Sequence, residues 1–225
     1  MALGTPVSRG SDRRFVVTTT LATASFTSAV DELMFCHVCI NANSVIPDSI
    51  SGHDGSTSWA QIGSTEVISG NSYSVWGSHS SGQTGTISVA RSVSSLMTMM
   101  CTSVTGADVS GTVANSLVQS DSGNGYVSSQ SLTLSGASGL TMGWWGANGG
   151  TIVTPEGTEL LNLTGRYNHC YLSDDYDAAG DASPSASNAI AQNSGYFAAE
   201  IKEAGAGAGI YREPKSNYIR NLITR

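Results

Sequence analysis

Four cysteines and four histidines are the side chains of this chain best suited to metal binding or nucleophilic chemistry. Cys36 and Cys39 form a C-x2-C, but they lie in an apolar run, Leu33 to Ile40, that is typical of a β-strand. Residues three apart on a strand face opposite sides of the sheet, and no second C-x2-C or H-x3-H follows. The spacing therefore predicts no metal site, and we expect the cysteines to be buried free thiols.

Serine is abundant, and a serine hydrolase would need one of the scattered histidines beside its nucleophile. The segment GNSYS lacks the second glycine of a G-x-S-x-G elbow. Because serines are so numerous, no serine can be paired with a particular histidine from the sequence. The sequence therefore predicts no catalytic residue, no cofactor and no small-molecule substrate. We expect a protein that is not an enzyme.

An acidic run, SDDYDAAGD at residues 173–181, places four aspartates close together. Carboxylate oxygens are good ligands for Ca²⁺, but the run lacks the D-x-D-x-D-G spacing and the glutamate at the twelfth position. We interpret it as a solvated acidic loop and predict no metal. An ion site is the alternative that stays open.

The elements that must position these side chains are short strands. Only 12% of residues are charged and 26 are glycine, which excludes a helical bundle or a coiled coil. Apolar residues alternate with polar ones, as at Tyr73 and Val75 or at Leu140, Met142 and Trp144, and Gly-rich turns separate the runs. The longest apolar run is too short to span a bilayer, so we expect no membrane contact. The pattern predicts an all-β fold, a β-sandwich or jelly roll.

The two halves of the chain repeat a similar order of strand patterns at a displacement of about 100 residues. We therefore predict one domain, residues 15–204, built from two pseudo-repeats, because no linker separates the halves. Residues 1–14 are expected to form an N-terminal arm. The run GAGAG then begins a Gly-rich hinge and a basic C-terminal arm, residues 205–225.

The net charge of −7 is unevenly distributed along the chain. Residues 1–14 hold three arginines against one aspartate, a net +2, and residues 212–225 hold four basic residues against one glutamate, a net +3. The rest has three basic residues against fifteen acidic ones, a net −12. Basic ends on an acidic body favour contacts between neighbouring copies, and they are too weak a phosphate footprint for nucleic acid.

Trp144 and Trp145 are adjacent on a predicted strand, so their rings point to opposite faces of the sheet. We expect one ring in the core and the other in a contact between subunits, since tryptophan is a frequent interface anchor. Trp145 is assigned to that contact, with a carbohydrate platform or a simply covered edge of the sheet as the alternatives.

Several patterns along residues 28–204 together resemble the β-sandwich virion structural proteins of tailed bacteriophages. They are a loop reaching Trp59 and Ile62, the strand segments YSVW (73–76) and TISVA (86–90), the strand end VTGAD (104–108), GTELL, and FAAEIK. The resemblance implies a structural role in a virion, as a capsid decoration (cement) protein or a head or tail fibre module. It carries over no individual residue.

Under this interpretation, the protein is a homotrimer that binds the outer capsid shell. Its partners are other copies of the same chain and the major capsid protein. Fourteen extended residues reach roughly 45–50 Å, enough for an arm to cross a neighbouring subunit. The expected interface residues are the basic and apolar side chains of both arms together with Trp145: Arg13, Arg14, Tyr211, Arg212, Lys215, Tyr218, Ile219, Arg220, Leu222, Arg225 and Trp145. The alternatives are a receptor- or glycan-binding fibre module and a tail or connector component.

Overall fold

The computed structural model describes residues 2–13, 17–53, 58–136, 139–148, 153–163 and 170–205. One 3-10 turn, Val113–Ser116, interrupts a chain of strands. The strands are β1 (Val7–Arg13), β2 (Thr18–Ala22), β3 (Phe26–Thr27), β4 (Val30–Ile40), β5 (Ser49–Ser51), β6 (Ala60–Ile68), β7 (Asn71–Ser81), β8 (Thr84–Gly85), β9 (Ser88–Ser95), β10 (Met97–Val104), β11 (Leu117–Ser131), β12 (Thr141–Asn148), β13 (Val153–Pro155), β14 (Thr158–Leu163), β15 (Cys170–Asp177) and β16 (Ser185–Ile201).

Two large antiparallel sheets form the body, one from each half of the chain. The first has the strand order β1-β10-β4-β7-β6, and the second has the order β11-β16-β12-β15-β14. A sixth strand of the second sheet, β13, pairs with β16 beside these five. Numbered along the chain within each set of five, the two sheets have the same order: first, last, second, fourth and third strand. The similar strand patterns of the two halves are thus accompanied by one shared sheet topology.

The two sheets pack face to face around the main core. Phe35 of β4 and Tyr73 of β7 come from the first sheet, and Trp144 of β12 and Phe197 of β16 come from the second. The rings of Phe35 and Trp144 are 4.8 Å apart at their centroids and tilted by 53°. At the edges of the sandwich, β6 contacts β11 and β1 contacts β14. In the numbering just given, the third strand of each sheet therefore lies beside the first strand of the other.

Each sheet also has its outer face covered. The small sheet β2-β9-β5 packs on the outer face of β4 and β10, where Leu21 and Val89 meet Met34 and Met99. On the other side, Leu132 and Leu134 cover the outer face of β12 and β16. The central strands are therefore buried on both faces, which accounts for the run Leu33–Ile40 of β4, apolar except for His37.

The all-β sandwich predicted from the sequence is confirmed. The N-terminal arm expected over residues 1–14 needs correction, because β1 pairs with β10 as an edge strand of the first sheet. The backbone of β1 is paired with that of β10. The sequence does not indicate this pairing, because the segment has few apolar residues. Residues 206–225, most of the predicted C-terminal arm, lie outside the described residues.

Candidate functional site

Most of the interface residues predicted from the sequence cannot be placed. Arg13 lies in β1, opposite Thr98 of β10, and is partly buried. The others in the arms lie outside the described residues: Arg14, Tyr211, Arg212, Lys215, Tyr218, Ile219, Arg220, Leu222 and Arg225. The structure therefore gives a position only to Arg13 and Trp145.

The surface position expected for Trp145 is wrong, because its side chain is only 1% exposed. The ring does point to the opposite face from Trp144, as its position on a strand requires. There it packs against Leu132 and Leu134 and lies 5.3 Å from the ring of Tyr196. The chain covers its own tryptophan, so this ring offers no platform to a sugar or a second subunit.

A cleft of about 810 Å³ lies where the described chain ends. Its walls are three segments, 29–31, 105–110 and 204–205. Val30 is 67% exposed in this region, and Asp31 contributes a carboxylate. Ala204 and Gly205, the last described residues, thus lie in the wall of a mixed apolar and acidic cleft.

Asp108 in this cleft is joined to the last described strand region by an ion pair. Its Oδ2 lies 2.7 Å from Nζ of Lys202. The hydrogen bond with Lys202, followed by those from Ser110, holds the pKa of Asp108 well below its usual range. Lys202 is thereby neutralised, while Asp31 forms no ion pair with any other residue that the structure describes.

A second, smaller cleft opens on the second sheet and is lined by four carboxylates. They belong to Glu156, Asp175, Asp177 and Asp181, and Tyr196 lies among them. Asp175 Oδ2 accepts a hydrogen bond from the Gly157 N–H at 3.1 Å. Burial, reinforced by the charges of Asp174, Glu156 and Asp181 against the effect of that hydrogen bond, raises the pKa of Asp175 to about 7.

The acidic run was interpreted as a solvated loop, and this is wrong for its first two aspartates. Both lie in β15, where Asp174 is fully buried and Asp175 is 6% exposed. Alternation sends Asp174 into the core between the sheets and Asp175 to the opposite face. The buried position of Asp174 could have been predicted from the sequence. Leu172 and Tyr176 lie two residues before and after Asp174, so all three side chains are on the same face of the strand.

Asp174 meets His37 of β4 across the core, with 3.4 Å between Oδ1 and Nδ1. Both side chains are completely buried, and burial raises the pKa of Asp174 against the opposing effect of His37. These two residues are 137 positions apart, so no spacing rule could have paired them. The contact joins the two sheets, but no solvent path reaches it for chemistry.

Ser28 with His53 and Ser116 with His79 form serine–histidine contacts among the described residues, and both contacts are structural in character. Ser28 Oγ lies 2.8 Å from His53 Nδ1, and Ser116 Oγ lies 2.7 Å from His79 Nε2. All four side chains are buried, whereas a nucleophile must be reached by its substrate. Burial also lowers the pKa of His79, despite the opposing charges of Asp31 and Asp108.

The cysteines divide into two groups. Cys36 and Cys101 are free and buried, as predicted, and lie directly opposite each other on β4 and β10. Cys39 is disulfide-bonded, so the expectation of a free thiol there is wrong. Cys39 faces the second sheet whereas Cys36 faces outward, and only the packing of sheets decides which sulfurs approach each other.

Within the described part of the chain, no three His, Cys, Asp or Glu side chains are arranged to hold a metal ion by themselves. No helix among these residues is long and apolar enough to cross a membrane. Comparisons with known proteins gave no match to a family model, to a curated protein or to a solved structure.

Proposed function

We propose that this chain is a structural protein of a phage virion, acting as a capsid decoration protein that binds the outer shell and stabilises it. The observation that carries the proposal is the division of charge between an acidic β-sandwich body and a basic C-terminal segment. That segment begins at Gly205, in the wall of the 810 Å³ cleft. The resemblance to phage virion β-sandwiches supports the same role.

The basic side chains of the described body are largely occupied by partners within the chain. Arg9 contacts Glu32, Lys202 contacts Asp108, and Arg91 donates to Ser95. Exposed carboxylates such as Glu156 and Glu203 have no cationic partner among the described residues. An acidic body of this kind attracts a basic segment from a neighbouring copy or from the shell.

The cleft at Gly205 offers such a segment both apolar and charged contacts. Val30 provides exposed apolar surface, and Asp31 provides a carboxylate. The segment 206–225 carries Tyr211, Tyr218, Ile219 and Leu222 between its basic residues. Fully extended, these 20 residues reach at most roughly 70 Å, enough to pass from one copy to the cleft of the next.

The mechanism would be the repetition of weak contacts over a symmetric lattice. Ordering a terminal segment costs conformational entropy, so one segment binds weakly by itself. A homotrimer presents three such segments at once, and the second and third bind at a high effective concentration. The shell is stabilised because its neighbouring subunits become linked through the decoration protein.

Binding to particles that lack the protein tests the proposal. The full chain and a deletion of residues 212–225 are mixed with such particles and sedimented. We expect the full chain to sediment with the particles and the deletion to remain in the supernatant. Equal binding of the two forms would contradict an anchoring role for the segment.

Two further variants separate charge from apolar contact. One replaces Arg212, Lys215, Arg220 and Arg225 by Gln, and the other replaces Tyr211, Tyr218, Ile219 and Leu222 by Ala. The matched control is Arg91→Gln, which removes one positive charge from the body. We expect both segment variants to bind more weakly and the control to bind like the original chain. Localisation of the protein at the tail of a purified particle would instead favour the fibre or connector alternatives.

A further inference from the structure

Two further clefts open between the sheets, where β6 of the first sheet lies beside β11 of the second. Their volumes are about 180 and 260 Å³, and Ile62, Gly63 and Ser120 line both of them. They are therefore neighbouring parts of one groove between β6 and β11. The residues described for these two strands share no ladder of backbone hydrogen bonds, so side chains alone close the sandwich along this edge.

A bulge in β6 leaves free space where the two parts of the groove meet. The register of β6 against β7 shifts between Ile62 and Glu66. Gly63, within this bulge, has a φ of 66°, and a Cβ on it would meet nothing within 4 Å. Beyond the bulge the strands are joined, because Ser122 Oγ of β11 donates a hydrogen bond to Glu66 Oε1 at 2.7 Å. The bulge interrupts the continuous edge that an added strand would need, so the space suits a small molecule.

The larger side chains that line the groove are apolar. Ile62, Val113 and Phe197 are among them, and none is more than 7% exposed. Trp144 lines the 180 Å³ part and is completely buried. A cavity of about 150 Å³ with apolar walls accommodates benzene, so each part of the groove has room for an aromatic ring.

Trp144 also provides a second and independent observation. Its Nε1 is buried and has no hydrogen-bond partner among the residues that the structure describes. A buried N–H without an acceptor is unusual in a folded protein, because the group has lost its bond to water. An acceptor atom on a molecule in the groove supplies the missing bond.

The lining of the groove carries little charge. No lysine, arginine or histidine is among the described residues that line it, and Asp121 is the one carboxylate among them. Both oxygens of Asp121 already accept backbone N–H groups, from Ser122 at 2.8 Å and from Thr133 at 3.2 Å. Neutral groups such as those of Ser64 and Gln119 complete the lining. The groove therefore offers nothing to balance a charge on a ligand.

We propose that the groove between β6 and β11 binds a small, neutral, mainly apolar molecule that carries a hydrogen-bond acceptor, such as an aromatic ketone. Its apolar part lies against Ile62 and Phe197, and its acceptor takes the N–H of Trp144. Apolar walls with a few placed polar groups are typical of small-molecule sites. This binding site goes beyond the structural role proposed above and is independent of it.

The test uses the full chain and two neutral naphthalene dyes whose emission rises and shifts to shorter wavelength in apolar surroundings. Prodan carries a ketone, whereas N-phenyl-1-naphthylamine has no carbonyl acceptor. Increasing concentrations of protein are added to each dye. We expect saturable binding of prodan with a dissociation constant on the order of 0.1 mM, as for a ligand of this size. The second dye should bind several-fold more weakly, because it leaves the Trp144 N–H without an acceptor.

Three variants locate the site. Ser120→Trp places a large ring at an exposed position that lines both parts of the groove, and each dye should lose at least about tenfold in affinity. Ser129→Trp is the matched control, because Ser129 is exposed on the same strand but lies outside the groove. Trp144→Phe removes the N–H and keeps an aromatic ring. We expect it to abolish the preference for prodan over the second dye.

Absence of saturable prodan binding to the original chain overturns the proposal. Equal affinities of Ser120→Trp and Ser129→Trp also overturn it, because the dye then does not occupy the groove. Equal binding of the two dyes, or an unchanged preference in Trp144→Phe, contradicts the role given to the indole N–H. If Trp144→Phe does not fold, the two dyes and the serine variants still decide. None of these outcomes bears on binding to particles, which the variants of residues 212–225 test.

Discussion

Gly146 allows an aromatic ring to lie directly on the backbone of β12. It shares the core-facing side of that strand with Met142 and Trp144. A Cβ there would stand 2.0 Å from Cδ1 and 2.2 Å from Cε1 of Tyr73, a ring that is fully buried. The close approach of the two sheets at this point therefore depends on the absence of a side chain.

Gly146→Ala should lower the free energy of unfolding by about 1–3 kcal/mol, because the Tyr73 ring or the β12 backbone must move. Gly139→Ala is the matched control, since a Cβ there meets nothing within 4 Å, and its effect should stay within about 0.5 kcal/mol. Urea unfolding curves of the two variants measure the difference. Equal stabilities would show that the ring has free space.

Asp175 should make the free energy of unfolding depend on pH. Its pKa is raised to about 7 in the fold, chiefly by burial, from the ordinary value of 3.8 that applies to the unfolded chain. A raised carboxyl pKa means that the folded state binds the proton more tightly, so its contribution is greatest below about pH 4 and is lost as pH rises through 7. The groups that face it are Asp174, Glu156, Asp181 and Tyr196.

Asp175→Asn removes this titration. We expect the original chain to lose a few kcal/mol more stability than the variant between about pH 4 and 7. Chemical unfolding at several pH values measures the difference between the two proteins. Parallel stability curves would mean that Asp175 keeps an ordinary pKa.

At the scale of elements, the covering segments distinguish this sandwich from two bare sheets. An ordinary antiparallel sheet shows a polar outer face to water. Here β2-β9-β5 covers one outer face, and the segment with Leu132 and Leu134 covers the other. Alternation on β12 therefore gave Trp145 the correct face, but the sequence did not show that the segment preceding β12 covers it.

Trp145→Ala should destabilise the fold by about 3–5 kcal/mol, because truncation leaves a cavity between β12 and its cover. Tyr126→Ala is the control, because Tyr126 is 69% exposed on β11 and should change stability by no more than about 0.5 kcal/mol. Urea unfolding distinguishes them. A loss of stability at Trp145→Ala as small as that of the control would show that the ring is not needed to fill the space between β12 and its cover. Trp145 would then again be a candidate interface residue.

At the scale of the whole molecule, the two halves form sheets with the same strand order. The second strand of each sheet, β4 or β12, lies at its centre, and the edge strands of one sheet contact those of the other. His37 of the first sheet and Asp174 of the second join the two halves inside the core. The sequence similarity between the halves predicted a repeat, and their equal topology is consistent with one.

Charge is also a property of the whole molecule, and it predicts how binding to particles responds to salt. The proposed attraction between the basic segment and the acidic body is electrostatic, and charges in contact with solvent are screened beyond about 3 Å at 1 M salt. We expect a salt series up to about 1 M to release the chain from particles progressively. Release should need less salt for the variant that lacks the four apolar side chains. Full retention at 1 M would assign the binding to apolar contact.

The sequence alone determined the fold class, because period-two alternation and Gly-rich turns are local properties of the backbone. It also determined the division of charge and the opposite directions of Trp144 and Trp145. The tertiary structure decided what covers each face, which cysteine is bonded, how β1 joins the sheet, and which carboxylates gather around Tyr196. These depend on contacts between residues far apart in the chain, and no spacing rule specifies which distant strands will meet.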